Sequence, residues 1–209
     1  MPKINRTIFL LMLSDIFVGT GFGLIDPILA IFFKENIVGG TILTAGFAST
    51  LFLMVKSIVQ LPFSKYVDSH KKKVKWLIVG SFLISSVPII YIFSENIWHI
   101  YIAQIIMGIG SGLSYPTWLG IWSTHLDKNH ESFEWSLYST ISGIGVALTA
   151  SIGAALAEFV GFSATFITVG IFSIIGTFIL FWLEKSNHKE SLELLHFHTK
   201  RKLINKRHH

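Results

Sequence analysis

The chain contains no cysteine, and only 14% of its residues are charged. Lack of thiols excludes disulfides, thiolate metal sites and cysteine nucleophiles, and leaves no clue to a redox compartment. The scarcity of charge excludes an ordinary soluble domain, in which about a quarter of the residues are charged. What takes its place is apolar: 51% of the 209 residues are hydrophobic and the mean hydropathy is positive.

The apolar residues gather into six runs, 7–33, 41–63, 76–93, 97–122, 135–157 and 162–183. At 1.5 Å per residue each reaches across a hydrocarbon core of about 30 Å, the third only just. In that solvent backbone amides must be paired within the chain, which a helix does inside one segment. The expected fold is therefore an all-α integral membrane protein with six transmembrane helices. The first run follows two positive charges, as in a signal peptide, but it is too long for one and lacks a cleavage site, so it is read as a retained span. Of the 17 Lys and Arg residues, all but Lys34 and Lys56 fall on the side of the N-terminus. This asymmetry predicts cytoplasmic N- and C-termini, and the location expected is the plasma membrane. The basic residues sit in short loops beside the bilayer, where they attract anionic headgroups; nucleic-acid binding is not supported.

The stretch Gly19-Thr20-Gly21-Phe22-Gly23-Leu24-Ile25-Asp26-Pro27 returns as Gly108-Ile109-Gly110-Ser111-Gly112-Leu113-Ser114-Tyr115-Pro116. The shared pattern is G-x-G-x-G-L-x-x-P, once in span one and once in span four. Three crossings reverse the direction of the chain, so the two copies belong to inverted three-helix repeats, a mark of secondary transporters. Span five carries small residues at i+4 spacing, Gly145, Thr149, Gly153 and Ala157, which lets another helix approach closely. Spans three and six carry no charge and are read as peripheral and lipid-facing.

A charge near the bilayer centre costs about 2.5 to 3.5 kcal/mol on insertion scales, so each one needs a reason. Three stand out: Asp15 and Asp26 in span one, and Lys56 in span two. On a continuous helix the two aspartates lie on one face, roughly 16 Å apart. Lys56 matches Asp15 in depth and is expected to pair with it, either as part of a solute or proton site or as a packing ion pair; Asp26 lies nearer the outer mouth. The repeat offset carries Asp15 onto Gln104, which places polar side chains at related positions of spans one and four.

No enzyme is expected. Ser111 lies in a Gly-Ser-Gly, but a rhomboid-type intramembrane protease needs Gly-x-Ser-Gly and a histidine in span six, and both are missing. No catalytic residue, cofactor or metal is expected either; His196, His198, His208 and His209 have no acidic or thiol partner nearby. The tail 184–209 is polar and basic apart from Leu192, Leu194, Leu195 and Phe197. It is read as a disordered, solvated segment rather than a surface helix.

Together these features resemble the N-terminal six-helix half of the major facilitator superfamily, over roughly residues 6–183. The loop between spans two and three resembles that family's Gly-x-x-x-Asp-Arg/Lys-x-Gly-Arg/Lys-Arg/Lys signature. Asp68, Lys72 and Lys73 match it; Ser64, Ser69 and Lys71 depart from it. Span four resembles Arg-x-x-x-Gly-x-Gly, with Gly108 and Gly110 in place and Gln104 where the arginine stands. Span five resembles the antiporter element through Gly145, Ala147 and Gly153. The resemblance implies a transporter of a small solute, with or without a coupling ion, working by alternating access. Spans one and four would line the cavity with Asp15, Lys56, Gln104 and Asp26. Spans two and five would meet another half, and Asp68, Lys72 and Lys73 would form the internal gate. Such proteins have two halves, so residues 1–183 are expected to form one transporter half, with 184–209 as tail or central linker. A dimer or a missing second half would complete it. The alternative is a non-transporting membrane fragment or regulatory membrane partner.

Overall fold

The computed structural model describes residues 5–70 and 73–205, with side chains as far as residue 185. Among these residues the chain forms seven helices and no strand beyond one isolated bridge between Val38 and Asn96. The helices are α1 (Arg6–Gly23), α2 (Leu29–Asn36), α3 (Ile42–Ser69), α4 (Val74–Ile92), α5 (Ile97–His125), α6 (Glu131–Phe159) and α7 (Phe162–Asn205). All but the eight-residue α2 are long and apolar enough to cross a bilayer. Side-chain caps set three of the starts. Asn5 accepts from the Thr7 amide, Thr41 and Thr44 form a capping box, and Asn96 accepts from the Trp98 and His99 amides. Each satisfies donors that a helix N-terminus leaves open.

Several helices outrun the apolar run that predicts them. α3 continues to Ser69, so residues 64–68, expected in a loop, form its last turns. α7 continues to Asn205 through the segment expected to be disordered. Hydropathy marks the hydrocarbon thickness, not the helix end. The residues after 183 include neither Gly nor Pro and are rich in Glu, Lys and Leu, which favour helix.

The first apolar run is broken where Asp26 precedes Pro27. Past Gly23 the chain makes tight turns, with the Asp26 amide donating to Phe22 and Ile28 to Ile25, before α2 begins. Proline has no amide to donate and disfavours helical backbone in the residue before it. α2 is then held down by aromatic contacts. Phe32 meets Phe166 edge-on at 4.7 Å and Phe162 at 5.1 Å, and Phe33 meets Tyr91 at 5.9 Å.

The main packings run in the order α3, α5, α4, α7, α1, α6. Exchanging span one with four, two with five and three with six returns the same order read backwards. That is the two-fold relation of an inverted pair of three-helix repeats. The repeated glycines lie in matching seams. A Cβ on Gly21 would meet Phe172 and Val169 of α7, and one on Gly110 would meet Gly80 and Ile84 of α4. Likewise Gly23 faces Thr149 and Val146 of α6, while Gly112 faces Val59 of α3. The small stripe of span five packs on α1, with Gly145 against Thr20 and Gly153 against the Leu24 backbone.

Spans three and six are covered on one side and bare on the other, where Phe82 and Ile89 of α4 and Ile171 and Phe178 of α7 are exposed. α4 and α7 pack on each other across the centre of that order, joined by a Ser85–Thr177 hydrogen bond of 3.0 Å. The barely covered helices are α3 and α6, with 11% and 6% of their apolar windows buried, against 44% for α4 and 50% for α7. One core cluster lies at the α2 end of the bundle, around Phe32, Phe33, Tyr91 and Phe166; the other lies where α1 starts, around Leu11, Trp122 and Leu180.

Candidate functional site

At the α2 end, the break after α1 opens a cavity of about 250 Å3 between α2, α3 and α5. Its polar lining is Asp26 from the break, Ser49 from α3 and Gln104 from α5. Leu29, Ala30 and Phe33 of α2 form one wall, and Ala45 and Phe52 of α3 with Met107 of α5 form the other. Gln104 is only 4% exposed, and its Nε2 donates to the buried Tyr91 hydroxyl at 2.9 Å. That bond fixes the amide, since a buried amide is held wherever it finds a partner. Asp26 is exposed to the cavity mouth. Two of the four expected cavity residues, Asp26 and Gln104, therefore meet in one space.

The other two lie further along the bundle and do not meet each other. The Tyr138 hydroxyl of α6 donates to Asp15 Oδ2, and Lys56 Nζ lies 4.8 Å above the ring of Tyr115 in α5. The cause is the helix order: α1 packs on α7 and α6, whereas α3 packs on α5, so matching depth does not bring Asp15 and Lys56 side by side. A lysine over a phenol ring is attracted by the ring's negative face, which gives the charge a partner without a carboxylate. The break also removes the continuous helix on which Asp15 and Asp26 would share a face.

Tyr138 belongs to a cage of rings that closes this end. Trp118 and Trp122 stack at 4.9 Å, and Tyr138 lies 5.2 Å from each. Trp135 lies 5.2 Å from Trp122. Such pairs contribute about 0.5–1.5 kcal/mol each beyond area burial. Glu134, 1% exposed, caps the turn before α6, its Oε2 accepting from the Asp127 amide at 3.3 Å. Its Oε1 and the indole N–H groups of Trp118 and Trp122 are buried without a partner among the described residues.

In the signature loop, Asp68 is exposed on the last turn of α3 and Lys73 directly precedes α4, without a side-chain capping bond; Lys72 lies outside the described residues. A carboxylate in a helix's last turn faces the negative end of the dipole, an arrangement that costs rather than stabilises. Rings pin the turn between them: Tyr66 stacks on His70 at 4.0 Å and Trp76 meets Phe63 edge-on at 5.3 Å. Among the described residues no group of three His, Asp or Glu side chains converges as a metal site would require. The side chains of His196 and His198, and all of His208 and His209, lie outside the described residues.

Sequence reasoning missed Tyr91, Tyr115, Tyr138 and Ser49. A tyrosine in an apolar run is ordinary, and only its neighbours in space show that Tyr138 holds a carboxylate and Tyr91 an amide.

The geometry can be set beside known proteins. A family model described as Major Facilitator Superfamily matches residues 11–206. The chain is 24% identical over 186 residues to the multi-drug resistance efflux pump PmrA homolog of Lactococcus lactis, covering 88% of this chain and 45% of the relative. It is 23% identical to an uncharacterized MFS-type transporter of Methanocaldococcus jannaschii, covering 86% and 46%. It is also 23% identical over 105 residues to the proton-coupled antiporter flippase LtaA of Staphylococcus saprophyticus, covering 49% and 26%. Its fold matches the crystal structure of an auto inhibited POT family peptide transporter with a TM-score of 0.74 at 14% identity, covering 87% of this chain and 37% of the other. The chain thus spans about half the length of the first two curated relatives. With six apolar helices in an inverted-repeat order and a match over nearly its whole length, the chain is a multi-pass membrane protein that belongs to the major facilitator superfamily.

Proposed function

We propose that the chain is one half of a secondary transporter that carries a small solute by alternating access and is completed by a second half. One observation carries the reading: the faces of α3 and α6 are nearly bare, and a cavity lined by Asp26, Ser49 and Gln104 opens beside α3 and α5. Asp26 and Gln104 would line the solute path near one mouth, and Asp15 with Tyr138, and Lys56 with Tyr115, nearer the other. Asp68, Lys72 and Lys73 would gate the inner side, with both termini cytoplasmic in the plasma membrane. The work is transport without covalent chemistry. The coupling ion, if one is used, would act on the Asp15 or Asp26 carboxylate.

The chain has no cysteine, so single cysteines report without background. Leu53→Cys on α3 and Ile152→Cys on α6, both exposed, should cross-link in native membranes to a second copy or to a separate partner half. Ala30→Cys at the cavity should change its rate of labelling by a membrane-impermeant maleimide when that cross-link locks the halves. A strictly monomeric chain with an invariant labelling rate would favour the non-transporting fragment instead.

A further inference from the structure

The cavity at the α2 end is one-sided in charge. Gln104 commits one of its two amide N–H groups to Tyr91, which leaves the other N–H and its carbonyl oxygen, an acceptor. Ser49 directs its hydroxyl proton to the Ala45 carbonyl at 3.4 Å, which leaves its lone pairs. Ionised Asp26 can only accept. The lining thus offers acceptors and a negative charge, contains no cationic side chain, and is otherwise walled by Phe33, Phe52 and Met107 among other apolar groups.

We infer that this cavity binds a small organic ammonium ion, its N–H groups donating to Asp26, Gln104 and Ser49 and its hydrocarbon lying against the Phe33, Phe52 and Met107 wall. An anion would meet the like charge of Asp26 with no cationic side chain to offset it. A polyol would desolvate most of its hydroxyls against apolar walls. The two phenyl rings, by contrast, attract a cation as well as a hydrocarbon chain. Size narrows the class further. At about 250 Å3 the space falls below the roughly 300–1,000 Å3 of sites that hold drug-sized molecules. A primary amine with a short chain fits it.

This inference deepens the transporter reading by giving the chemistry of one station on the solute path, but the binding itself does not require transport. The test is isothermal titration of the full chain in lipid nanodiscs, corrected with empty nanodiscs, using n-butylammonium and n-butanol at constant ionic strength. Saturable binding of the amine is expected, with the alcohol at least tenfold weaker. Asp26→Asn should weaken amine binding at least tenfold, as loss of a charged hydrogen-bond partner does. Ala30→Phe, which fills the space and keeps the charge, should weaken it as much. Glu158→Gln, which removes a carboxylate from the exposed end of α6, should leave it unchanged. Equal affinity for amine and alcohol would overturn the proposal. So would full affinity in Asp26→Asn, or a loss in Glu158→Gln as large as that in Asp26→Asn. Ammonium binding without any solute flux would retain the site and remove the transport role; flux without ammonium binding would do the reverse.

Discussion

The two copies of G-x-G-x-G-L-x-x-P share their seams but not their tightness or their endings. In α5 all three glycines are pressed. A Cβ would come within 2.8 Å of Val55 at Gly108, 2.7 Å of the Gly80 carbonyl oxygen at Gly110, and 2.7 Å of Val59 at Gly112. In α1 a Cβ on Gly19 would meet nothing, one on Gly21 would meet Phe172 at 3.0 Å, and one on Gly23 would meet the Thr149 hydroxyl at 2.6 Å. The α5 copy runs on through Pro116 as an unbroken helix, whereas the α1 copy breaks at Asp26-Pro27 and opens the cavity. A shared pattern therefore establishes where helices touch. What each copy does is decided by the few residues after the glycines.

The contrast can be broken most forcefully at Gly110. Gly110→Leu sets a side chain against the backbone of Gly80, which cannot give way, and should destabilise the protein by about 3 kcal/mol, the upper end of the usual overpacking range. Loss of a monodisperse peak and a steep fall in melting temperature in detergent would show it; a native-like Leu variant would refute the seam. Next comes the carboxylate on α1. Tyr138→Phe strands Asp15 without its donor and should cost about 1.5–3 kcal/mol, with Asp15→Asn in that background recovering part of the loss. Equal melting temperatures for wild type and Tyr138→Phe would show that this contact contributes nothing.

A smaller effect separates the spatial reading from the sequence one. A double-mutant cycle on Asp15→Asn and Lys56→Gln should give a coupling within about 0.5 kcal/mol, because residues without shared partners add; a larger coupling would restore the ion pair expected from depth. Least affected should be Gly19→Ala, within about 0.5 kcal/mol of wild type, since the added methyl meets open space. If Gly19→Ala were as damaging as Gly108→Ala, the two copies would be equivalent after all.

Much of the architecture is legible in the sequence because the bilayer imposes a length on every apolar run. The six spans and the inverted repeat can both be read from it. Which helix faces which cannot. Protein interior and lipid tails are equally apolar, so Trp76 to Phe93 reads the same whether buried or peripheral. The packed faces of spans three and six are marked by small and hydroxylated residues, Gly80 where α4 meets α5, Ser85 and Thr177 where α4 meets α7, and Gly176 where α7 meets α1. The Asp15–Lys56 pairing fails for a related reason. Depth is written along a helix, but the angle between helices arises only when they pack. Asp26 was found because a charge is costly in its span and Gln104 because the repeat offset carries Asp15 onto it, and their meeting in one cavity required the break.

The helix order α3, α5, α4, α7, α1, α6 is an open path with two like ends. In that sense the bundle is divalent. A one-sided protein partner that covers α3 leaves the related edge on α6 bare, because the two helices stand at opposite ends of the path. Satisfying both edges at once takes a unit that is itself two-ended, so that closure makes a ring rather than a capped pair. Internal symmetry thus restricts the company the chain can keep, independently of any residue that touches solute.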